Sequence, residues 1–112
     1  MANTFKLVNN AVMSTVANTT EDLYTVPSST TTIVLGLTLC NVHTAQVLTT
    51  VEIVDTSAGI TSTIIKDAPI PVGSSLEIMS GNKIALETTD KVKVSSSIAD
   101  KVSATMSIME IT

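Results

Sequence analysis

The sequence predicts an all-β chain: a single antiparallel β-sandwich, jelly-roll or Ig-like, of about eight strands. Thr, Ser, Val and Ile together make up half of the residues, and β-branched side chains, stiff at χ1, pack well on a pleated surface. Short apolar or alternating runs recur between turn residues at the spacing of a sandwich or barrel. With 112 residues there is room for one compact domain and one modest core.

Residues 1–21 read as an N-terminal edge strand or as an arm reaching a neighbouring subunit, ahead of a sandwich domain over 22–112. The strand pattern there, Phe5 to Val16, alternates weakly and contains two consecutive asparagines. Next comes Ile33 to Cys40, an apolar run bounded by Pro27-Ser28-Ser29 and Asn41. Its length suits a central strand buried on both faces, with Ile33, Leu35, Leu37 and Leu39 on one side and Val34, Gly36, Thr38 and Cys40 on the other. It is about half the length of a membrane helix and is interrupted by Gly36 and Thr38, so no membrane span is expected.

Gln46 to Val54 gives a second long strand, with Val47, Thr49, Val51 and Ile53 sharing a side, and a turn follows at Asp55 to Gly59. After a strand at Ile60 to Ile65, the segment Lys66 to Gly73 contains Pro69 and Pro71. Two prolines exclude a central strand and favour an extended crossing from one sheet to the other. A succession of hairpins is expected beyond it: Ser75 to Met79, a turn at Ser80-Gly81-Asn82, Lys83 to Leu86, a turn at Thr88-Thr89-Asp90, and Val92 to Ser95. Lys91-Val92-Lys93-Val94 alternates, which points the valines inward and the lysines to solvent. The final strand, Val102 to Ile111, places Val102, Ala104, Met106 and Ile108 on one face and Ser103, Thr105, Ser107 and Met109 on the other.

Several functions are disfavoured by composition. The net charge is -4 and every cation is lysine, whereas nucleic-acid binders carry a basic face and bidentate arginines, so no nucleic-acid partner is expected. The single cysteine, Cys40, forms no internal disulfide, which leaves stabilisation to packing or to partners. The first sixteen residues lack the charged start, apolar core and cleavage site of a signal peptide, and folding in the cytoplasm is expected. Asn18-Thr19-Thr20 matches a glycosylation sequon, but Thr-rich chains produce such triplets by chance.

Cys40 and His43 offer two metal ligands where zinc needs three or four, and no second Cys or His exists. A strand geometry also aims the two apart, against a Cys–His nucleophile pair. Asp55, Asp67, Asp90 and Asp100 sit in or beside turns, where aspartate commonly bonds the backbone, and read as scattered rather than as a calcium loop. Met79, Met106 and Met109 read as core filling, with an inter-subunit packing surface as the alternative. No catalytic, cofactor-binding or metal residue is assigned, and a non-enzymatic protein is expected.

Two longer segments carry a resemblance. Asp22-Leu23-Tyr24-Thr25-Val26-Pro27-Ser28-Ser29 precedes the strand ending in Asn41, and Ala68-Pro69-Ile70-Pro71-Val72-Gly73-Ser74-Ser75-Leu76 precedes Leu86-Glu87-Thr88-Thr89-Asp90-Lys91-Val92-Lys93-Val94. Together they resemble small β-sandwich virion structural proteins of tailed bacteriophages, from Asp22 onward. Two positions depart from that pattern, Ser29 and Thr89, where glycine is the usual residue. The resemblance implies a capsid decoration (cement) subunit located in the virion and made in the host cytoplasm. It also implies a homo-oligomer, a trimer foremost, whose partners are the major capsid protein or neck and tail proteins. A neck, tail or tail-fibre structural protein is the alternative. A carbohydrate- or receptor-binding module is the rival from another class, and it is disfavoured by an aromatic content of 2%.

Overall fold

A computed structural model describes residues 2–13, 15–79 and 83–112. The strands are β1 (Asn3–Met13), β2 (Glu21–Thr25), β3 (Thr31–Asn41), β4 (Val47–Asp55), β5 (Ile60–Ile70), β6 (Ser75–Glu77), β7 (Ile84–Leu86), β8 (Lys91–Ser96) and β9 (Val102–Ile111). Sheet A runs β1-β9-β3, and β6 and β7 both pair with the far side of β3; sheet B runs β2-β8-β4-β5. Every pairing is antiparallel. β6 bonds β3 at Thr38 to Cys40 and β7 bonds it at Thr32 to Val34, so the two short strands form one interrupted edge. Counted as one strand, they give two four-stranded sheets with the double Greek key of a jelly roll, which decides between the two sandwich types expected.

This topology corrects the expected hairpins of the last third. Among the described residues β6 and β7 do not pair with each other, β7, β8 and β9 alternate between the sheets, and only β4 and β5 are both consecutive and paired. The expected turn at Ser80-Gly81-Asn82 lies outside the described residues. β2, which the sequence reading did not mark as a strand, is short, acidic at its start and shifted in register between Asp22 and Tyr24. Five residues at a sheet edge give too little alternation to be read.

The proline segment also differs. β5 continues through Pro69 to Ile70, with Pro69 opposite Leu48, and the sheet change follows at Pro71–Ser74 rather than from Lys66 onward. Pro is tolerated because β5 is the outer strand of sheet B, where the missing N–H interrupts no ladder. Asp67, at φ +49, supplies a kink beside the register breaks around Val51, and its N–H donates to Thr50 Oγ1 at 3.0 Å.

β3 is central, as expected, between β9 and the β6/β7 edge, but only one of its faces is fully buried. A bulge between Val34 and Gly36 reverses the alternation. Thr32 and Val34 before it, and Leu37, Leu39 and Asn41 after it, point into the core; Ile33, Leu35, Thr38 and Cys40 lie half-buried on the outer face. Simple period-2 counting therefore puts Ile33 and Leu35 on the wrong side.

Between the sheets, Val34, Leu37 and Leu39 meet Met106 and Ile108 of β9 and the valines of β4 and β8: Val47, Val51, Val92 and Val94. Fully burying one such side chain contributes roughly 1.5–3 kcal/mol. The faces read for β4, β8 and β9 are the observed ones. Met79 and Met106 fill the core, whereas Met109 is on the outside of sheet A.

Candidate functional site

Among the described residues no enclosed cavity is found, and no buried side-chain nitrogen or oxygen lacks a partner. The chemistry-bearing groups gather in three places: the loop end that holds Asp90, a polar clasp around Tyr24, and the outer faces of the two sheets.

At the loop end, the carboxylates of Asp55, Glu87 and Asp90 come within 4.8 Å of one another. Asp55 and Asp90 are thus not scattered, because the β4–β5 and β7–β8 turns meet. Asp90 is buried and already engaged: Oδ2 accepts from the Glu87 N–H at 2.9 Å, and Oδ1 from the Thr56 N–H at 3.1 Å and hydroxyl at 3.3 Å. Asp55 Oδ1 accepts from Ser57 Oγ (2.9 Å) and the Ala58 N–H (3.3 Å), a turn role. Three carboxylates could in principle hold a divalent cation. These bonds tie Asp55 and Asp90 to loop structure instead.

Thr89 in this turn has φ +72, and Ser29 in the preceding turn has φ +54. Both positions are left-handed, and both are the ones where the resemblance expects glycine. A β-branched residue in this region is a genuine outlier. Thr89 is fixed by its N–H to the Val26 carbonyl (3.1 Å) and by a hydroxyl contact with Thr56 (2.5 Å).

Cys40 lies half-buried on the outer side of sheet A, while His43 lies in the loop beyond the end of β3. Neither belongs to a cluster of three or more metal-ligating groups among the described residues. Asn41, at the end of β3, organises that loop. Its Nδ2 donates to the carbonyls of Ile70 (2.8 Å) and Ala45 (2.9 Å), and its Oδ1 accepts from the His43 N–H (2.7 Å).

The clasp joins the sheets. Tyr24 of β2 in sheet B donates to Glu110 Oε2 of β9 at 2.5 Å and shares a 2.8 Å bond with Thr32 Oγ1 of β3, both in sheet A. Lys6 Nζ of β1 reaches Glu110 Oε1 at 2.8 Å. The bond to Lys6, then that to Tyr24, holds the Glu110 carboxyl below its ordinary value. Burial, reinforced by the bond to Glu110, pushes the Tyr24 hydroxyl up to about 12.

Charge divides unequally between the outer faces. On sheet B, Asp22 bonds Lys93 at 2.8 Å and Lys91 at 3.3 Å, and Glu52 pairs with Lys93 in register. The bond to Lys93 holds the Asp22 carboxyl below its ordinary value. On sheet A, the outward strand residues are neutral except for Glu77, whose carboxylate takes the Thr38 hydroxyl at 2.7 Å and the Leu37 N–H at 3.3 Å.

The neutral face is apolar at one end, where Phe5, Leu7, Ile33, Leu35, Met109 and Ile111 lie, and carries hydroxyls and amides at the other, with Asn9, Ser103, Thr105 and Thr38. β1 is inverted relative to an ordinary sandwich strand. Phe5 and Leu7 point out, 73% and 62% exposed, while Lys6 turns toward Glu110. The weak alternation of the N-terminal segment hides this, because sequence counting assumes that the apolar set faces the core.

No protein-family model matches the chain, and no curated protein matches it. Solved structures do. A chain of Bacillus endospore appendages, disulfide-linked pili, superposes with TM-score 0.52 at 17% identity, covering 99% of this chain and 87% of that one. A chain of an icosahedral particle of infectious bursal disease virus gives 0.58 at 10% identity, covering 96% of this chain and 30% of its own. The subviral particle of the same virus gives 0.55 at 11% identity, with 96% and 32% covered. This chain thus spans about a third of those viral chains. At such identities the likeness is one of fold: a β-sandwich that two unlike assemblies share.

Proposed function

We propose that this chain is a non-enzymatic structural subunit of a virion, a capsid decoration (cement) protein. It acts as a symmetric homo-oligomer, a trimer, that bridges major capsid subunits after synthesis in the host cytoplasm. The observation that carries this reading is the outward placement of Phe5 and Leu7 on an almost uncharged sheet face. Such a face suits contact with protein rather than catalysis or sugar stacking. The likeness in fold to viral particle chains and to a pilus chain agrees with a role in assembly. The mechanism is mechanical: rigid sandwiches spread load across subunit junctions through buried interface area.

Mass spectrometry and cryo-microscopy of purified virions test it. A copy number that matches the capsomer junctions, with density at each, is the expected result. A few copies at one vertex or along the tail would replace decoration by a neck, tail or fibre role, and absence from the virion would overturn the reading.

A further inference from the structure

The outer face of sheet A has a built-in mismatch with solvent. The register of β1 on β9 pairs Phe5 with Met109 and Leu7 with Ser107, and a slip of one residue would turn both apolar side chains into the core. The chain instead keeps Lys6 inward on Glu110 and leaves its single phenylalanine outside. β9 continues the apolar row to β3, Met109 facing Ile33, and β7 ends it with Ala85.

Side-chain size varies across this face. Phe5 and Leu7 stand up on the β1 side. On the β3 side Gly36 has no side chain, and a Cβ built there would meet only Glu77 Oε1, at 3.9 Å. The small Ala85 lies on the same low side. We propose that the face is a self-association surface, occupied by a second copy of this chain whose Phe5 and Leu7 rest on the Gly36 and Ala85 side of the first.

Size favours that occupant, and the neutral face lessens the charge repulsion against it. Two copies of a chain at -4 repel one another, least so across the face whose single strand carboxylate is already bonded. Four strands about 4.8 Å apart and ten residues long at about 3.3 Å give roughly 600 Å² before the protruding side chains are counted. That approaches the roughly 800 Å² per partner of a stable interface.

This inference deepens the proposed oligomeric assembly and rests on it for its setting, but it is tested on the isolated protein. Sedimentation velocity of the full chain between about 1 and 100 µM is expected to show an oligomer. A Phe5→Glu/Leu7→Asn variant is expected to sediment as a folded monomer, its dissociation constant raised at least about tenfold as for an interface anchor. Leu48→Glu, on the outer side of sheet B, is expected to leave the oligomer intact. If the double variant loses its far-UV circular dichroism, Ala85→Arg probes the same contact from the hollow side. A wild-type monomer over the whole range, or assembly unchanged in both face variants, overturns the inference. Absence of the protein from virions would overturn the proposed function and leave this contact standing.

Discussion

Leu35 and Leu37 form the sharpest test of how β3 is built. Period-2 reading puts both on one face, but the bulge at Val34/Gly36 leaves Leu37 fully buried and Leu35 outside, half-exposed. Leu37→Ala removes three carbons from the core. At about 0.8 kcal/mol per buried methylene this loses roughly 2.4 kcal/mol of transfer free energy. The residual cavity brings the total to roughly 3–4 kcal/mol, inside the usual range of 2–5. Leu35→Ala takes the same atoms from a half-exposed site that opens no core cavity, and should cost about 1 kcal/mol or less. Urea unfolding followed by far-UV circular dichroism reads both, with constant m-values as the check on two-state behaviour. The Phe5→Glu/Leu7→Asn background removes any contribution from association. Equal losses at the two sites would refute the bulge and return β3 to simple alternation, and the larger loss at Leu35 would overturn the assignment of its two faces.

Two further outcomes follow from the turns and the clasp. Ser29→Gly and Thr89→Gly relieve left-handed backbone at φ +54 and +72, and each should raise stability by about 1 kcal/mol, less at Thr89 because the Thr56 contact is lost. Thermal unfolding midpoints that fall in both variants would contradict this. Glu110 and Asp22 titrate below their ordinary values of 4.5 and 3.8 when folded. The unfolded chain therefore takes up protons first on acidification, and stability present near neutrality is lost as pH falls through the folded values. Glu110→Gln should flatten the fall in unfolding free energy between about pH 5 and 3 while Asp22 keeps its share. An unchanged slope would remove Glu110 from that account.

The strands most legible in the sequence are those that obey one rule along their whole length. β9 alternates without interruption and β8 does so from Lys91 to Val94, so Val92, Val94 and the four residues Val102, Ala104, Met106 and Ile108 are placed correctly by counting. β3 breaks the rule at one bulge and β5 at two register shifts, one beside Asp67, and a single inserted residue transfers every later side chain to the other face. No local residue marks the β3 break decisively. Gly36 is compatible with either arrangement, since a Cβ there would make only an ordinary 3.9 Å contact with Glu77 Oε1. The β6/β7 edge was hidden for another reason. Two short strands in sequence look like a hairpin, and only pairing to the distant β3 reveals one interrupted strand.

The candidate surface was illegible because its signal contradicts the premise used to read every other strand. Phe5-Lys6-Leu7-Val8 offers two registers. One buries Phe5 and Leu7 and exposes Lys6; the other exposes both and returns Lys6 toward the edge of the core. Hydrophobic burial alone favours the first by roughly 3–6 kcal/mol, from two side chains at about 1.5–3 each. The second is held by long-range partners that no local pattern contains: the Lys6–Glu110 pair, the Tyr24 bond that fixes Glu110, and the terminal ladder in which Ala2 and Thr112 exchange bonds of 3.0 and 2.9 Å. A surface ion pair contributes at most about 1 kcal/mol, and one with a buried partner more, so the solitary subunit gains little from this choice. Covering Phe5 and Leu7 in an assembly recovers the same apolar burial without giving up the clasp. That energetic asymmetry is why the inverted strand points to association rather than to an accident of edge packing.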